Sequence, residues 1–434
     1  MSSWLPEHRR SELKAIARRS HQVVTIAGIV GAATGLFVAA FDRIVVDISF
    51  DHLVDLPLWL VAVGPGIGLL AALAARSWIG GGASPATADD YLHAFHDGHV
   101  LRWRPFLGRM IAAIATLGAG APMGLEGPSL YAGATIGSAV QRRLPRIFRE
   151  ADPRVLLVAG AAAGVAAIFK TPATGAVFAL EVPYQEDLAR RMLLPALVAS
   201  ASGYLTFVAI NGTSALLPTR GNVQLSLRDL LGAIAIGLVA GIGARLFAWL
   251  LRRAKKVAAT APPLPSALAA GTVLAALFVL GRVLTGESLL VGAGYQVVAW
   301  ASVPQRSIGI LVAILVLRCL ATATAVAGGG VGGLFIPLVV AGSLTGSIIG
   351  GVANHADLEL FVLIGVAAFL GAGYRVPLAA VMFVAEATGR PAFVVPGLLA
   401  AVAAELLMGT ASVTAYQRLP TRWAMADTDH DDGT

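Results

Sequence analysis

Long stretches without a charged residue constrain this chain more than any other feature of its sequence. Charged residues make up 13% of the 434 residues, against roughly 25% in soluble domains. A helix that crosses a bilayer needs about 20 apolar residues. Uncharged runs long enough for this, or nearly so, are Val23–Phe41, Leu56–Ala75, Met110–Leu125, Met192–Thr219, Val257–Gly281 and Cys319–Asn354. The sequence therefore predicts an all-α polytopic membrane protein.

The net charge of +7 indicates membrane topology rather than nucleic acid binding, because the basic residues collect at the ends of apolar runs. Clusters lie within 9–19, 142–149, 190–191 and 252–256. This pattern is typical of cytoplasmic loops. We expect a multi-pass protein of the bacterial inner membrane with both termini cytoplasmic, an amphipathic N-terminal helix over 1–21 and an acidic tail over 420–434.

Several other function classes are disfavoured. The single cysteine, Cys319, excludes an internal disulfide, and the chain has no zinc-type Cys/His spacing, so no cofactor is expected. No histidine or aspartate pair lies inside a long apolar run, which argues against an enzyme. Metal-like helical spacing occurs once, and a solvated polar surface is favoured over metal binding there: Asp90, His93, His96 and Asp97.

An internal repeat divides the chain into two halves. A shift of 205 residues aligns Leu156–Glu181 with Phe361–Glu386, and a shift of 209 aligns Pro128–Ser138 with Pro337–Ser347. The predicted parts are a first repeat over 22–215, a linker over 216–226 and a second repeat over 227–419. Some apolar segments are too short to span a bilayer and end in glycine or proline, as in the broken helices of transporter ion sites.

Two glycine–proline sequences, Gly124–Pro128 and Gly332–Pro337, occupy corresponding places in the two halves. Proline at a helix start leaves no amide unsatisfied, and glycine lets bare backbone amides point outward. The start of a helix also carries the equivalent of about +0.5 charge. Two such starts that converge within the membrane predict an anion site without a full positive charge.

Glu126 lies inside the first of these sequences. A carboxylate at membrane depth costs at least about 2.5 kcal/mol on insertion scales, so a functional role is expected. Our hypothesis is that the ionised side chain is a tethered anion that occupies the site and leaves it when protonated. The alternative is a helix cap without a gating role.

These motifs resemble the signatures of the CLC chloride channel and transporter family, with similarity over about residues 22–419. The resemblance implies inverted repeats of tilted and half-spanning helices, and a homodimer with one pathway per subunit for chloride or similar anions. It implies Glu126 as the external gating glutamate. It also implies an anion site built on the backbone at Gly124, Leu125, Gly127, Leu334 and Phe335.

The chain departs from the family pattern in its expected side-chain ligands. Leu125 replaces a basic residue before the gating glutamate, which weakens the attraction of anions. Gly82 falls where the family has an anion-binding serine, and Ser84 is the nearest substitute. The inner tyrosine of the family is either replaced by Thr414 or displaced to Tyr416. The resulting prediction is a wide and wet central site.

Val182 replaces the internal glutamate of proton-coupled members and cannot carry a proton. We therefore expect a passive channel or a poorly proton-coupled pathway. The alternative is a chloride/proton antiporter that uses a different internal acid, with Glu181 the first candidate. A remote alternative is a cation-coupled solute carrier of another fold. Structural roles are expected for Glu181, Glu386, Lys170, Arg318 and Arg375.

Overall fold

The computed structural model describes residues 7–144, 152–217, 225–355 and 357–419, and these residues are mostly helical. The α-helices in chain order are α1 (Glu7–Arg43), α2 (Asp51–Val54), α3 (Leu58–Ala74), α4 (Thr87–Asp97), α5 (Trp103–Gly118), α6 (Glu126–Arg143), α7 (Val155–Phe169), α8 (Pro172–Glu181), α9 (Leu193–Asn211), α10 (Leu227–Thr260), α11 (Pro263–Thr285), α12 (Tyr295–Ala301), α13 (Ile308–Ala327), α14 (Phe335–Val352), α15 (Leu358–Tyr374), α16 (Pro377–Thr388) and α17 (Val394–Met408). Turns of π-helix follow α1 (Ile44–Phe50) and α3 (Ala75–Ile79), and 3₁₀ turns precede α9 (Arg190–Met192) and α17 (Pro391–Phe393).

The described residues contain eight helical segments that are long and apolar enough to cross a membrane. Their outward side chains are apolar as well, as Val283 and Leu406 show, each 77% exposed. A soluble protein would not expose so many large aliphatic side chains, whereas lipid solvates them. This confirms the predicted all-α polytopic membrane fold.

The N-terminal amphipathic stretch is helical from Glu7 onward and forms the first part of a longer helix. Helix α1 runs without a break from Glu7 to Arg43, so the basic stretch continues directly into the first apolar segment. A helix of 37 residues is about 55 Å long and exceeds the thickness of the hydrocarbon core. The predicted tail over 420–434 lies outside the described residues.

The order of helices around the repeated segments is the same in both halves. Helices α6, α7 and α8 are followed along the chain by the matching series α14, α15 and α16. Helices α8 and α16 have 10 and 12 residues and begin with proline, so each reaches only about halfway across a bilayer. Half-spanning helices end inside the protein, where their terminal amides must find partners.

Glycine contacts hold the first two helices of each series close together. Gly133 of α6 packs against the backbone at Gly160 of α7, where a Cβ on either residue would overlap the partner's carbonyl. Gly342 of α14 makes the same contact with Gly365 of α15. Close backbone approach of this kind is typical of helix packing in membranes. It holds α6 and α14 rigidly, and the first residues of both helices meet at the candidate site.

Candidate anion-binding site

The two helix starts predicted to converge are joined by a pair of backbone hydrogen bonds. The amide of Gly124 donates to the carbonyl of Gly333 at 2.9 Å, and the amide of Gly333 donates back to Gly124 at 2.6 Å. Helices α6 and α14 each begin two residues later, and neither has a side-chain cap on its own first turn. Uncapped amides at the start of a helix require an acceptor from elsewhere.

Glu126 supplies that acceptor. Its Oε1 atom accepts a hydrogen bond from the amide of Phe335, the first residue of α14, at 2.5 Å. The side chain is 2% exposed, and its second oxygen, Oε2, has no hydrogen-bond partner in the described part of the chain. A Cβ atom at Gly124 or Gly333 would overlap the carboxylate. Only glycine at these two positions therefore leaves room for the carboxylate.

The arrangement is chemically that of an occupied anion site. A carboxylate oxygen is held by a helix-start amide, and no described lysine or arginine pairs with Glu126. The same amide and helix dipole would attract a halide ion equally well. The carboxylate and a free anion cannot occupy the place together, so the Glu126 side chain must move before an anion binds there.

The Glu126 carboxylate is held by Gly124, Gly333 and the amide of Phe335, which together are called the Glu126 cradle. A cavity of about 680 Å³ approaches this cradle from one side. It brings together five residues predicted from the sequence as anion ligands: Gly82, Ser84, Leu334, Thr414 and Tyr416. Gly333, which touches the Glu126 carboxylate, also lines it. The wall carries the basic residues Arg76, Lys255 and Lys256 and the acidic residues Asp89 and Asp90, and Lys255 pairs with Asp89 at 2.6 Å.

The predicted side-chain ligands lie away from the Glu126 cradle or are engaged elsewhere. Gly82 has a φ of +82° and open space around it. The Ser84 hydroxyl accepts a hydrogen bond from the amide of Ala86 at 3.2 Å. Thr414 is buried, and its hydroxyl hydrogen-bonds with Ser412 at 3.0 Å.

Tyr416 lies at the mouth of the cavity. It is 43% exposed, and its ring stacks on that of His93 with 5.3 Å between the ring centroids. The two residues beside Glu126, Leu125 and Gly127, lie at the start of α6. Leu125 precedes the first turn of α6, and the Cα of Gly127 packs against Thr87 and Gly333.

Two further hydroxyl groups that the sequence analysis did not single out line the same cavity. Tyr374, the last residue of α15, is 2% exposed, and its ring packs against those of Phe178 and Phe335 at 5.4 and 6.4 Å. Thr87, the first residue of α4, is 1% exposed. Thr87 follows the glycine-rich loop of Gly82 closely in the sequence, and this could have marked it as a candidate ligand. No local sequence pattern marks Tyr374.

The repeat-related carboxylates Glu181 and Glu386 cap the half-spanning helices of the opposite repeat. Glu181 accepts hydrogen bonds from the amides of Leu378 and Ala379 at the start of α16, at 3.1 and 2.8 Å. Glu386 accepts from the amides of Ala173 and Thr174 at the start of α8, at 2.9 and 2.6 Å. Val182 follows Glu181 as a buried apolar residue.

The three buried or half-buried basic residues also have structural partners. Arg318 donates to the backbone carbonyls of Leu289, Gly292 and Ala293. Arg375 forms an ion pair with Glu405 at 2.9 Å, and Lys170 donates to the Ser214 hydroxyl at 3.0 Å. These contacts agree with the structural roles expected from the sequence.

The residues with metal-like spacing on α4 do not converge on one point, although His93 lies 3.4 Å from Asp97. Asp90 pairs with Arg109 at 2.6 Å, and Asp97 pairs with Arg418 at 2.6 Å, which holds the pKa of Asp97 below its usual value. Burial lowers the pKa of His96, whose Nε2 lies 2.7 Å from the Pro183 carbonyl. Across the described ranges, no three His, Cys, Asp or Glu side chains converge as metal ligands.

Fold and site together define a multi-pass membrane protein with a candidate anion-binding site at converging helix starts. A sequence profile of the family described as "Voltage gated chloride channel" matches residues 67–409, most of the chain. The chain therefore belongs to this family, the CLC family, and its function is anion transport across a membrane.

The relatives are transporters. The chain is 26% identical to the "H(+)/Cl(-) exchange transporter ClcA" of Citrobacter koseri over 89% of this chain and 85% of that one. It is likewise 26% identical to the ClcA protein of Yersinia pestis, over 89% and 84%. A "slow cyanobacterial Cl-/H+ antiporter" has the same fold, with a TM-score of 0.77, 21% identity, and coverage of 95% of this chain and 99% of that one.

A second solved structure with the same fold is "a CLC-type fluoride/proton antiporter". Its TM-score is 0.73 and its identity 24%, and the match covers 94% of this chain and 99% of that one. These likenesses confirm the CLC-type architecture predicted from the repeated glycine–proline motifs.

Proposed function

We propose that the chain exchanges chloride for protons, and that Glu126 is both the gate for the anion and the carrier of the proton. Exchange requires one protonatable group that competes with the anion for a single place. Glu126 has that geometry, because its carboxylate holds the amide of Phe335 in the buried cradle. The names of the curated relatives, which are chloride/proton exchange transporters, support coupling over the passive pathway favoured by Val182.

The observation that carries the proposal is the double contact of Gly333. This residue touches the Glu126 carboxylate on one side and lines the cavity on the other. Water in the cavity therefore comes within one residue of the carboxylate, and a proton can reach Glu126 without an acid at position 182. Glu181 is a poor substitute, since both of its oxygens accept hydrogen bonds from α16.

The cavity is assigned to the cytoplasmic side. Its wall carries Arg76, Lys255 and Lys256, and the positive-inside rule places such residues in the cytoplasm. The same rule favours cytoplasmic termini. In this orientation the cavity delivers both protons and chloride from the cytoplasm, and movement of the Glu126 side chain connects the cradle to the outside.

The test is the reversal potential of the purified protein in liposomes under a chloride gradient, with and without an opposing pH gradient. Coupled exchange shifts the reversal potential with the pH gradient and lets a chloride gradient drive protons uphill. Glu126→Gln should abolish proton movement and retain chloride flux. A reversal potential that stays at the chloride equilibrium value would contradict the proposal and favour the passive pathway.

We further propose a homodimer with one independent pathway per subunit, on the basis of family resemblance. Mass measurement in detergent, together with cross-linking in lipid, tests the assembly. A fully active monomer would contradict it.

A further inference from the structure

We propose that Thr87 and Tyr374 supply the side-chain hydroxyls that bind the transported anion, in place of the serine and the inner tyrosine that the chain lacks at the expected positions. The inference extends the proposed pathway by assigning its ligands. It rests on where the two hydroxyls lie, next to the helix starts that hold Glu126.

Tyr374 lies where the cavity meets the cradle. It lines the cavity together with Leu334, the residue before the amide that binds Glu126, and its ring packs on Phe335, which carries that amide. The aromatic rings of Phe178 and Phe335 hold the Tyr374 ring in place. A phenol that is fixed by packing beside a helix-start amide can donate to an anion bound there.

Thr87 supplies the second hydroxyl at the cavity. Its Oγ1 atom is buried and has no hydrogen-bond partner among the described residues. It lies close to Gly127, the residue after Glu126, since a Cβ atom at Gly127 would come within 2.7 Å of Thr87 Oγ1 and 3.0 Å of the Gly333 Cα. A buried hydroxyl without a partner is energetically unfavourable, and a bound anion that accepts a hydrogen bond from it would remove this penalty.

The residues at the expected positions are less suited to the role. The Ser84 hydroxyl is exposed to solvent and accepts a hydrogen bond from the amide of Ala86, and the Thr414 hydroxyl shares a hydrogen bond with Ser412. Tyr416 stacks on His93 at the cavity mouth. The C-terminal segment is held there by Asp89, whose carboxylate accepts from the amide of Ala415 at 3.1 Å.

The test is calorimetric titration of chloride into the purified full-length protein, with variants that remove one hydroxyl and keep the shape. We expect Thr87→Val and Tyr374→Phe each to weaken chloride binding by about tenfold or more, as for a hydrogen bond to a charged partner. Thr87→Ser, which retains the hydroxyl, should restore the affinity. Thr206→Val and Tyr204→Phe on α9, away from the cavity, are matched controls without effect.

Ser84→Ala and Tyr416→Phe decide between the two sets of ligands. Unchanged affinity in these variants supports the inference, whereas a loss confined to them would overturn it. It would also be overturned if Thr87→Val and Tyr374→Phe bound chloride like the wild type. Proton coupling is measured separately in liposomes, so a wild type that binds chloride but moves no protons would contradict only the proposed exchange.

Discussion

Glu126 and the pair Glu181–Glu386 show two uses of the same interaction in one membrane protein. Each is a carboxylate that accepts hydrogen bonds from the start of a helix in the other repeat. Glu181 and Glu386 engage both oxygens, and each binds two successive amides. Glu126 accepts a hydrogen bond through Oε1, its Oε2 has no partner among the described residues, and the side chain lies beside a cavity.

The difference is one of reversibility. A carboxylate bonded through both oxygens loses several charge-assisted hydrogen bonds if it leaves, so it acts as a permanent cap. A carboxylate held through one oxygen leaves at a smaller cost, and an incoming anion can replace it at the amide. The number of satisfied oxygens thus separates the candidate gate from the structural caps.

The largest expected effect is on the pH dependence of transport. Protonation removes the negative charge that the Phe335 amide binds, so wild-type chloride flux should rise as the pH falls. Glu126→Gln carries no titratable group, and its flux should be flat over the range in which carboxylates titrate. Chloride efflux from liposomes at a series of external pH values measures this.

Glu181→Gln is the matched control for that experiment, because it removes a buried carboxylate of the same kind. We expect the folded fraction of this variant to keep the wild-type pH response. A Glu126→Gln variant that still responds to pH, or a Glu181→Gln variant that does not, would reverse the assignment of gate and cap.

The second expected effect is on the free energy of unfolding. Here the loss of a structural cap should matter more than the loss of the candidate gate. Glu386→Ala leaves the amides of Ala173 and Thr174 without acceptors and should destabilise the protein by about 3 kcal/mol, as expected for lost hydrogen bonds to a charged group. Thermal unfolding in detergent measures the change. Glu126→Ala should cost less, and the exposed Glu186→Ala least, as for a surface ion pair.

A third and smaller effect tests the glycines of the Glu126 cradle, without a substitution of Glu126 itself. A Cβ at Gly124 or Gly333 would overlap the Glu126 carboxylate. Gly124→Ala should therefore displace the side chain and raise chloride flux at high pH, in the direction of Glu126→Gln. Gly397→Ala in α17, whose Cβ would make only ordinary contacts at 3.5 Å, is the control. Unchanged flux in Gly124→Ala would show that the cradle is not tight.

The sequence predicted the helix starts better than the side-chain partners. Proline can begin a helix but not continue one, so Pro128 and Pro337 located the first turns of α6 and α14. The hydrogen bonds of Glu181 with α16 join residues about 200 positions apart, and no local pattern encodes them. Tyr416 lies at the cavity mouth for a similar reason, since distant Asp89 and Lys255 hold the C-terminal segment there.

The smallest expected effect concerns the contact of His96 with the Pro183 carbonyl, outside the membrane-spanning helices. Its Nε2 lies 2.7 Å from the Pro183 carbonyl, which also accepts from the amide of Arg418 at 3.2 Å, so His96 helps to fasten the C-terminal segment. Burial lowers the pKa of His96 below its usual value of 6.5. The unfolded chain then binds the proton more readily, so this contribution to stability is complete above about pH 6.5 and is lost as the pH falls toward the folded-state pKa.

We expect a slightly lower thermal midpoint at pH 5.5 than at pH 7.5, and a smaller difference in His96→Gln than in the wild type or in the exposed control His52→Gln. Equal pH dependence in all three proteins would assign the acid sensitivity to other groups, and the segment would then be held by its backbone hydrogen bonds and ion pairs alone.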